Sequence, residues 1–316
     1  MLNGVATSVP VFKEIAVPRE AIFYANLEIP LTNMKERTPH KSAAEVKART
    51  QFILTADPKH ILDIVGAGID VVSLGNNHAM DGGASGLRQM LSLLDKHGIR
   101  HCGAGESWAS SVEPAIVIAP DGTRVAFISY LSFLSLEALR KCTPAKVNSP
   151  GIATLTTLGQ NGLPELARLK GIIDKAKKQA DMVVVALHWG VERQPFPAPY
   201  QVALGRLFVD AGADVVLGAH PHVLQPGELY KGKPIIYSLG NFVNPGGGNS
   251  AMYKLTFEKT KFLYANVMPT SYSAGTVTQL PGSSPKEISR RETKFLKLYP
   301  SGTSHPLTLV STKKTW

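Results

Sequence analysis

Four of the nine histidines in this sequence directly follow short apolar runs of the kind that form buried strands, and an asparagine accompanies them. Ligands of open α/β sheets collect outside the carboxyl ends of the strands, so these side chains are expected to meet in one divalent-metal site. A single histidine after a strand is more often a capping or core residue, and the prediction depends on the whole set. The set is Asn77, His78, His188, His220 and His222.

The donor types narrow the choice of metal. His220 and His222 are separated by one residue in a turn led by Gly218, so their rings can reach neighbouring ions. Imidazole nitrogens suit Zn and Fe, whereas carboxylate and amide oxygens suit harder ions, so this mixed set favours Mn, Fe or Zn. Glu28 is the natural bridging carboxylate if two ions lie about 3.5–4 Å apart. The alternative for Glu28 is a solvated loop acid, and the sequence is compatible with one or two ions.

His78 has a different expected role from its neighbour Asn77, which offers a carbonyl oxygen to the metal. His78 could point toward a leaving group and act as general acid. Asp81 follows three residues later and could orient the His78 ring, or it could cap the helix that starts near Gly83. The remaining histidines lack this context and are expected at the surface or in the core; they are His40, His60, His97, His101 and His305.

The elements that must position these residues alternate between strand and helix patterns, which predicts an α/β fold. Strands are predicted at 21–25, 70–74, 182–187, 215–217 and 253–259, and hairpins at 115–119/124–129 and 228–230/234–238. Helices are predicted at 58–67, with Asp57 as N-cap, and at 84–97, 163–180 and 199–211. Residues 130–161 have little pattern. We predict one α/β domain over 1–269 and an irregular, basic extension over 270–316.

Charge and composition limit the partners. The net charge is +10, and residues 251–316 hold 10 Lys/Arg against 3 Asp/Glu. An anionic polymer is therefore a candidate partner, although the tail could be merely solvated; nucleic acid is disfavoured because no recognition motif accompanies the charge. The two cysteines suggest neither a disulfide framework nor a thiolate metal cluster. No apolar run approaches the ~18 residues that span a bilayer, so the chain as given is expected to be soluble.

Five motifs, in order along the chain, carry a family resemblance. Together they resemble the CapA (PgsA-type) poly-γ-glutamate capsule biosynthesis family, within the calcineurin-like metallophosphatase superfamily. The motifs are Asn26-Leu27-Glu28, Gly75-Asn76-Asn77-His78 with Asp81, His188-Trp189-Gly190 with Glu192, Gly218-Ala219-His220-Pro221-His222, and Ser238-Leu239-Gly240-Asn241-Phe242.

The resemblance implies a four-layer α/β/β/α sandwich with a two-metal centre at one edge of the sheets. Glu28 would bridge the ions, His222 would bind one of them, and His78 would be the proton donor. The other ion would take Asn77, His188 and His220. The substrate-facing wall of the site would include Asn26, Trp189, Glu192 and Asn241.

The first residues depart from the family pattern. The family opens with a strand that ends in Gly-Asp, whereas this sequence starts Met1-Leu2-Asn3-Gly4. We therefore expect the first strand and one metal-binding aspartate to be missing from the sequence as given. Met1 would then be an internal methionine or the edge of a fragment, and the export signal or membrane anchor that the resemblance implies could be among the missing residues. If the chain instead begins at Met1, a mononuclear or inactive site is expected.

Two functions follow from the resemblance. The first is a capsule or poly-γ-glutamate biosynthesis protein with a hydrolase-type site, in which a metal-bound hydroxide attacks a phosphoester or a γ-glutamyl amide. The second is a non-catalytic partner that binds an anionic polymer and supports a membrane synthase or exporter. Retained metal ligands favour the first, and the basic tail favours the second.

Overall fold

Parallel strands joined by helices form most of the protein, which we describe from a computed structural model over residues 20–133, 136–156, 163–244, 246–273, 276–279 and 305–306. The helices are α1 (Ala43–Lys47), α2 (Ile61–Gly66), preceded by a 3-10 turn (Pro58–His60), α3 (Gly83–Lys96), α4 (Trp108–Ser111), α5 (Leu136–Arg140), α6 (Leu163–Lys177) and α7 (Pro199–Asp210). The strands are β1 (Tyr24–Asn26), β2 (Val71–Ser73), β3 (Arg100–Cys102), β4 (Ala104–Gly105), β5 (Ala115–Ile118), β6 (Arg124–Phe133), β7 (Gly151–Ile152), β8 (Thr154–Thr156), β9 (Met182–Trp189), β10 (Val215–Ala219), β11 (Leu224–Tyr230), β12 (Lys233–Leu239), β13 (Gly247–Glu258), β14 (Lys261–Ser273), β15 (Thr276–Gln279) and β16 (His305–Pro306).

Two sheets carry the architecture. The first is parallel, in the order β1-β2-β3. The second has the order β16-β11-β12-β10-β9-β6-β5, and its centre from β12 to β6 is parallel. Strands β13, β14 and β15 form a separate antiparallel ribbon. Because neighbouring parallel strands end on the same side, the loops after β9 and β10 lie next to each other.

The hydrophobic core consists of three clusters that follow the alternation of side chains along the strands. Val72 of β2 lies in a cluster with apolar residues of α2 and α3, whereas its neighbour Val71 lies in a cluster with β6, β9 and β10 of the second sheet. Val184 belongs to the same cluster as Val71. Val183 and Val185 lie on the opposite face of the second sheet, which α6 and α7 cover. Both faces of each main sheet are therefore buried.

The structure confirms the α/β class and most of the predicted elements. The helix predicted at 84–97 is Gly83–Lys96, and the strand predicted at 182–187 is Met182–Trp189. Asp57 caps its helical segment by accepting a hydrogen bond from the backbone N–H of Lys59. The hairpin predicted at 115–119/124–129 forms as β5 and β6. Within the described residues, none of the helices is both long and apolar enough to cross a membrane.

Two stretches that we expected to lack regular structure contain strands. Strand β6 continues to Phe133, and α5, β7 and β8 fall within the stretch 130–161. The predicted boundary at residue 269 falls inside β14, which runs to Ser273 and pairs with β15, so residues 270–273 and 276–279 are not irregular. These strands were missed because their composition is polar and rich in Ser and Thr rather than apolar. An antiparallel ribbon can have such a composition because one of its faces can be exposed to water. The rest of the predicted extension lies outside the described residues, apart from residues 305–306.

Gly218 in β10 provides a test of the packing that positions the histidines. A Cβ at this position would lie 1.9 Å from the carbonyl oxygen of Tyr237 and 2.5 Å from Nε1 of Trp189. We expect Gly218→Ala to lower the free energy of unfolding by about 1–3 kcal/mol or more, because the core must shift to admit the methyl group. Urea denaturation measures the change.

The matched control is Gly171→Ala in α6, where an added Cβ would meet nothing within 4 Å. Alanine in a helix interior should stabilise the protein by about 0.5–1 kcal/mol relative to glycine. Equal effects of the two substitutions would contradict the packing that we describe around Gly218.

Candidate metal centre

The carboxyl ends of β9 and β10 bring two histidines together. In the parallel pairing of these strands, Ala219 lies opposite His188, so His220 begins the next turn beside it. The ring centroids of His188 and His220 are 4.8 Å apart, and those of His220 and His222 are 6.1 Å apart. Three of the four histidines singled out from the sequence therefore form one cluster.

The turn that holds His220 and His222 has an unusual backbone. Both residues have positive φ angles, 97° for His220 and 57° for His222. Residues other than glycine rarely adopt this region, and such strain persists mainly where function requires a particular side-chain direction. The turn therefore carries backbone strain, which lowers its local stability, where it places the His220 and His222 imidazoles close together.

Glu28 reaches this cluster from the first sheet. Its Oε1 lies 3.7 Å from Nε2 of His188 and 3.7 Å from Nε2 of His222. Asn26, at the end of β1, donates from Nδ2 to the other carboxylate oxygen at 3.3 Å. Only 12% of the Glu28 side chain is exposed, so this residue lies inside the site rather than in solvent. Asn26 therefore orients the Glu28 carboxylate. Asn26 was expected in the wall of the site, and this hydrogen bond gives it a more specific role.

The loop after β2, which carries Asn77, approaches β6 of the second sheet at Gly75. Its neighbour Asn76 is fully buried and fixes the loop: Nδ2 donates to the carbonyl of Leu27, and Oδ1 accepts from the backbone N–H groups of His78 and Ala79. Gly75 allows the approach, because a Cβ there would lie 2.6 Å from Oγ of Ser129 in β6. We did not single out Asn76 as functional, although its place in the Gly-Asn-Asn-His motif was a signal.

Several atoms that could bind a metal, in the two buried histidines and in Asn77, are buried without a hydrogen-bond partner among the described residues. Leaving such an atom unsatisfied typically costs about 1–3 kcal/mol, so these atoms call for an explanation. Two imidazoles, an amide oxygen and a nearby carboxylate are donors that suit a divalent cation such as Mn, Fe or Zn. The atoms are Oδ1 of Asn77, both ring nitrogens of His188 and Nδ1 of His220.

Burial also sets the protonation of the histidines. Desolvation, followed by the nearby His220 and His222 rings, holds the pKa of His188 well below its usual range. Desolvation, with smaller contributions from His222 and His78, lowers the pKa of His220 to about 3. Both rings are therefore neutral at physiological pH, which leaves a lone pair on each for a metal ion.

Asn241 positions the third imidazole. Its Oδ1 lies 2.8 Å from Nδ1 of His222, and its Nδ2 donates to the hydroxyl of Tyr272 in β14 at 3.0 Å. An amide oxygen only accepts, so Nδ1 of His222 carries a proton, and Nε2 is the atom that faces Glu28. Asn241 was expected in the site wall, and it has this more specific contact.

His78 is held by a carboxylate and a lysine. Its Nδ1 lies 2.7 Å from Oδ2 of Asp81 and 3.2 Å from Nζ of Lys41. Lys41 is buried and also forms an ion pair with Oδ1 of Asp81. The alternative role for Asp81 as a helix cap is wrong, because the N-cap of α3 is Gly82 and no side chain caps it. Lys41 was missed because it lies in a polar stretch without a pattern that marks it.

The prediction for Trp189 needs correction, because its indole is fully buried on the helix side of the second sheet. Its Nε1 donates to the carbonyl of Tyr237 at 2.8 Å, and the two rings stack. The alternation of side chains along β9 turns Trp189 away from the face that holds His188. Phe133, which the sequence analysis missed, lies by the histidines instead, with its ring centroid 4.8 Å from that of His220.

Glu192 was expected in the wall of the site, and it lies beside His220 and His222. One ligand atom each from Glu192, His220 and His222 lie within 4.8 Å of one another, and the same holds for Glu28, His188 and His220. A cavity of about 780 Å³ borders the centre, with Glu28, His220 and His222 in its lining, and extends along β1. The cluster could therefore hold a cation and receive a substrate.

The fold is of the α/β class, and histidines and a glutamate cluster at the carboxyl ends of its two main sheets. Residues 9–246 match the family described as bacterial capsule synthesis protein PGA_cap, and the chain belongs to this family. The match includes every residue that we predicted for the site.

Individual relatives agree with this assignment. The chain is 36% identical over 197 residues to capsule biosynthesis protein CapA of Bacillus anthracis, covering 62% of this chain and 45% of the relative. It is 38% identical over 173 residues to the PGA biosynthesis protein CapA of Bacillus subtilis, covering 55% of this chain and 42% of the relative. A probable polyglutamine synthesis accessory protein of Mycobacterium tuberculosis is 30% identical over 174 residues. The chain thus spans less than half the length of these relatives.

Metal binding should stabilise the protein. With Mn²⁺ or Zn²⁺ at about one hundred times its dissociation constant, we expect a stabilisation of about 2.7 kcal/mol, measured as a rise in the melting temperature that a chelator reverses. His188→Ala should abolish the rise because it removes a central donor. His101→Gln, a change at a histidine that contacts Asp95 instead, should keep it. An equal rise in both variants would argue against this site.

Acid should destabilise the metal-free protein through the buried histidines. The unfolded chain takes up a proton on His220 near pH 6.5, whereas the folded protein does so only near pH 3. Stability is therefore full above about pH 6.5 and is lost as the pH falls toward the folded-state value. In chelator, His220→Gln should reduce this loss by up to about 1.4 kcal/mol per pH unit, measured by urea denaturation between pH 7.5 and pH 5. An unchanged slope would contradict the burial of a neutral imidazole.

Proposed function

We propose that this capsule-synthesis family protein is a metal-dependent hydrolase that acts on a phosphoester or a γ-glutamyl amide. The observation that carries the proposal is the cluster of His188, His220 and Glu28, in which both histidines have buried ring nitrogens without a hydrogen-bond partner among the described residues. A purely structural cluster of this kind would lose stability without a compensating contact. The names of the relatives, which refer to capsule and polyglutamine synthesis, support a polyglutamate-related substrate.

The proposed fold is the four-layer metallophosphatase sandwich. Its support is the layering of the core, in which α2 and α3 cover one face of the first sheet and α6 and α7 cover one face of the second. The third cluster lies between the two sheets. Ligands at one edge of such a pair of sheets would lie where Glu28 and the histidines lie.

The residues divide the chemistry between them. A bound divalent ion would supply a Lewis acid and would lower the pKa of an attacking water. The ion would be held by Asn77, His188 and His220. Glu28 would contribute a carboxylate oxygen from the first sheet. His78 would donate a proton to the leaving group from Nε2, because Asp81 engages Nδ1.

The first test is hydrolysis itself. The purified protein loaded with Mn²⁺, Fe²⁺ or Zn²⁺ should cleave an aryl phosphodiester or a γ-glutamyl peptide, and His188→Ala should remove the activity. Release of product is followed by absorbance or by mass spectrometry. Stoichiometric metal binding without turnover on either substrate class would refute the proposal.

The role of His78 makes a sharper prediction. His78→Gln should lower kcat by roughly 10²- to 10⁴-fold on a substrate with a poor leaving group, and much less on a p-nitrophenyl ester, whose leaving group needs no proton. Comparing kcat for the two substrates measures the difference. An equal loss on both would indicate a role in binding or folding instead.

A second candidate is a non-catalytic partner that binds an anionic polymer for a membrane synthase or exporter. The observation that favours it is the basic composition of residues 251–316, with 10 Lys/Arg against 3 Asp/Glu. Salt-sensitive binding to polyglutamate that survives His220→Ala and His222→Ala would support this candidate. Either role would fit an exported or membrane-anchored protein at the outer face, as we expect for the family.

A further inference from the structure

Glu192 lies on the loop that follows β9, beside the turn that holds His220 and His222. The geometry points to Glu192 as a carboxylate ligand of a second divalent cation, next to His222. This inference rests on the proposed metal-dependent function and assigns Glu192 a more specific role than a residue of the site wall. Three observations support it: the fixed shape of the loop, the distribution of the donors and the charge of the site.

The loop that carries Glu192 is fastened to the histidine turn. The backbone N–H of Arg193 donates to the carbonyl of Pro221, the residue between the two histidines, at 2.8 Å. Gln225, which is fully buried, donates from Nε2 to the carbonyls of Gln194 and Phe196, both at 3.0 Å. These bonds hold the backbone of the loop on both sides of Pro195, so the carboxylate is presented by a fixed segment.

The donors divide into two overlapping groups. Glu28, His188 and His220 form one. Glu192, His220 and His222 form the other. Because Oε1 of Glu28 is equally distant from Nε2 of His188 and Nε2 of His222, at 3.7 Å, this carboxylate can serve both groups.

Charge favours a second carboxylate at this place. Two divalent ions about 3.5–4 Å apart repel each other and need anionic ligands to coexist. With Glu28 as the shared anion, an ion next to His222 would need a further carboxylate to offset its charge. Glu192 supplies one. It is exposed, so ordering its side chain costs conformational entropy, and the second ion should bind more weakly than the first.

The test counts ions rather than turnover. Full-length protein is stripped with a chelator and titrated with Mn²⁺, and bound metal is measured by calorimetry and by elemental analysis after dialysis. Wild-type protein should bind two ions in sequence, and Glu192→Gln should weaken the second at least about tenfold, since even residues behind the ligands typically change metal affinity about 10- to 100-fold. Glu258→Gln, at an exposed glutamate at the end of β13, is the matched control and should behave as wild type.

Electron paramagnetic resonance gives an independent readout. Two adjacent Mn²⁺ ions are magnetically coupled, so the loaded wild-type protein should show a coupled spectrum and Glu192→Gln the spectrum of an isolated ion. Two ions of wild-type affinity in Glu192→Gln, or a single ion in the wild type, would overturn this inference and leave the hydrolase proposal standing. Two coupled ions without hydrolysis would overturn the hydrolase proposal and leave the ligand assignment standing.

Discussion

The close approach of the two main sheets at their carboxyl ends is the constraint on which the site depends. Each sheet holds only part of the donor set: Glu28 and Asn77 come from the first, and the three clustered histidines come from the second. The backbone of Gly75 lies where a Cβ would collide with Ser129, so a side chain at that point would separate the layers. A cation bound here would join the sheets, and its binding would be coupled to folding.

The sequence predicted the structure correctly where a local pattern of residues indicates a strand or its end. Apolar runs predicted the strands, and a polar residue just past a run predicted a strand end, which is why His188 and His220 could be expected at neighbouring strand ends. Trp189 was misplaced because alternation along a buried strand reverses the facing of adjacent residues, and both faces of that sheet are apolar. Periodicity alone cannot tell which face holds the site.

The residues that sequence reasoning missed are those whose contacts cross long stretches of chain. Lys41 meets Asp81, 40 positions later, and nothing near Lys41 in the sequence reports this contact. Phe133 ends a strand within a stretch that we read as unpatterned, and it reaches His220 across the sheet. Such contacts depend on how the layers meet, which is a property of the whole fold rather than of any segment.

The hydrogen bond from Asn241 to Tyr272 extends the site beyond the region shared with the family. Asn241 lies within the matched residues 9–246, whereas Tyr272 belongs to the antiparallel ribbon outside them. Because Asn241 accepts a hydrogen bond from Nδ1 of His222, only one side chain separates the ribbon from the histidine cluster. A substitution at Tyr272, outside the matched residues, can therefore alter the orientation of the His222 imidazole without changing any residue of the histidine cluster.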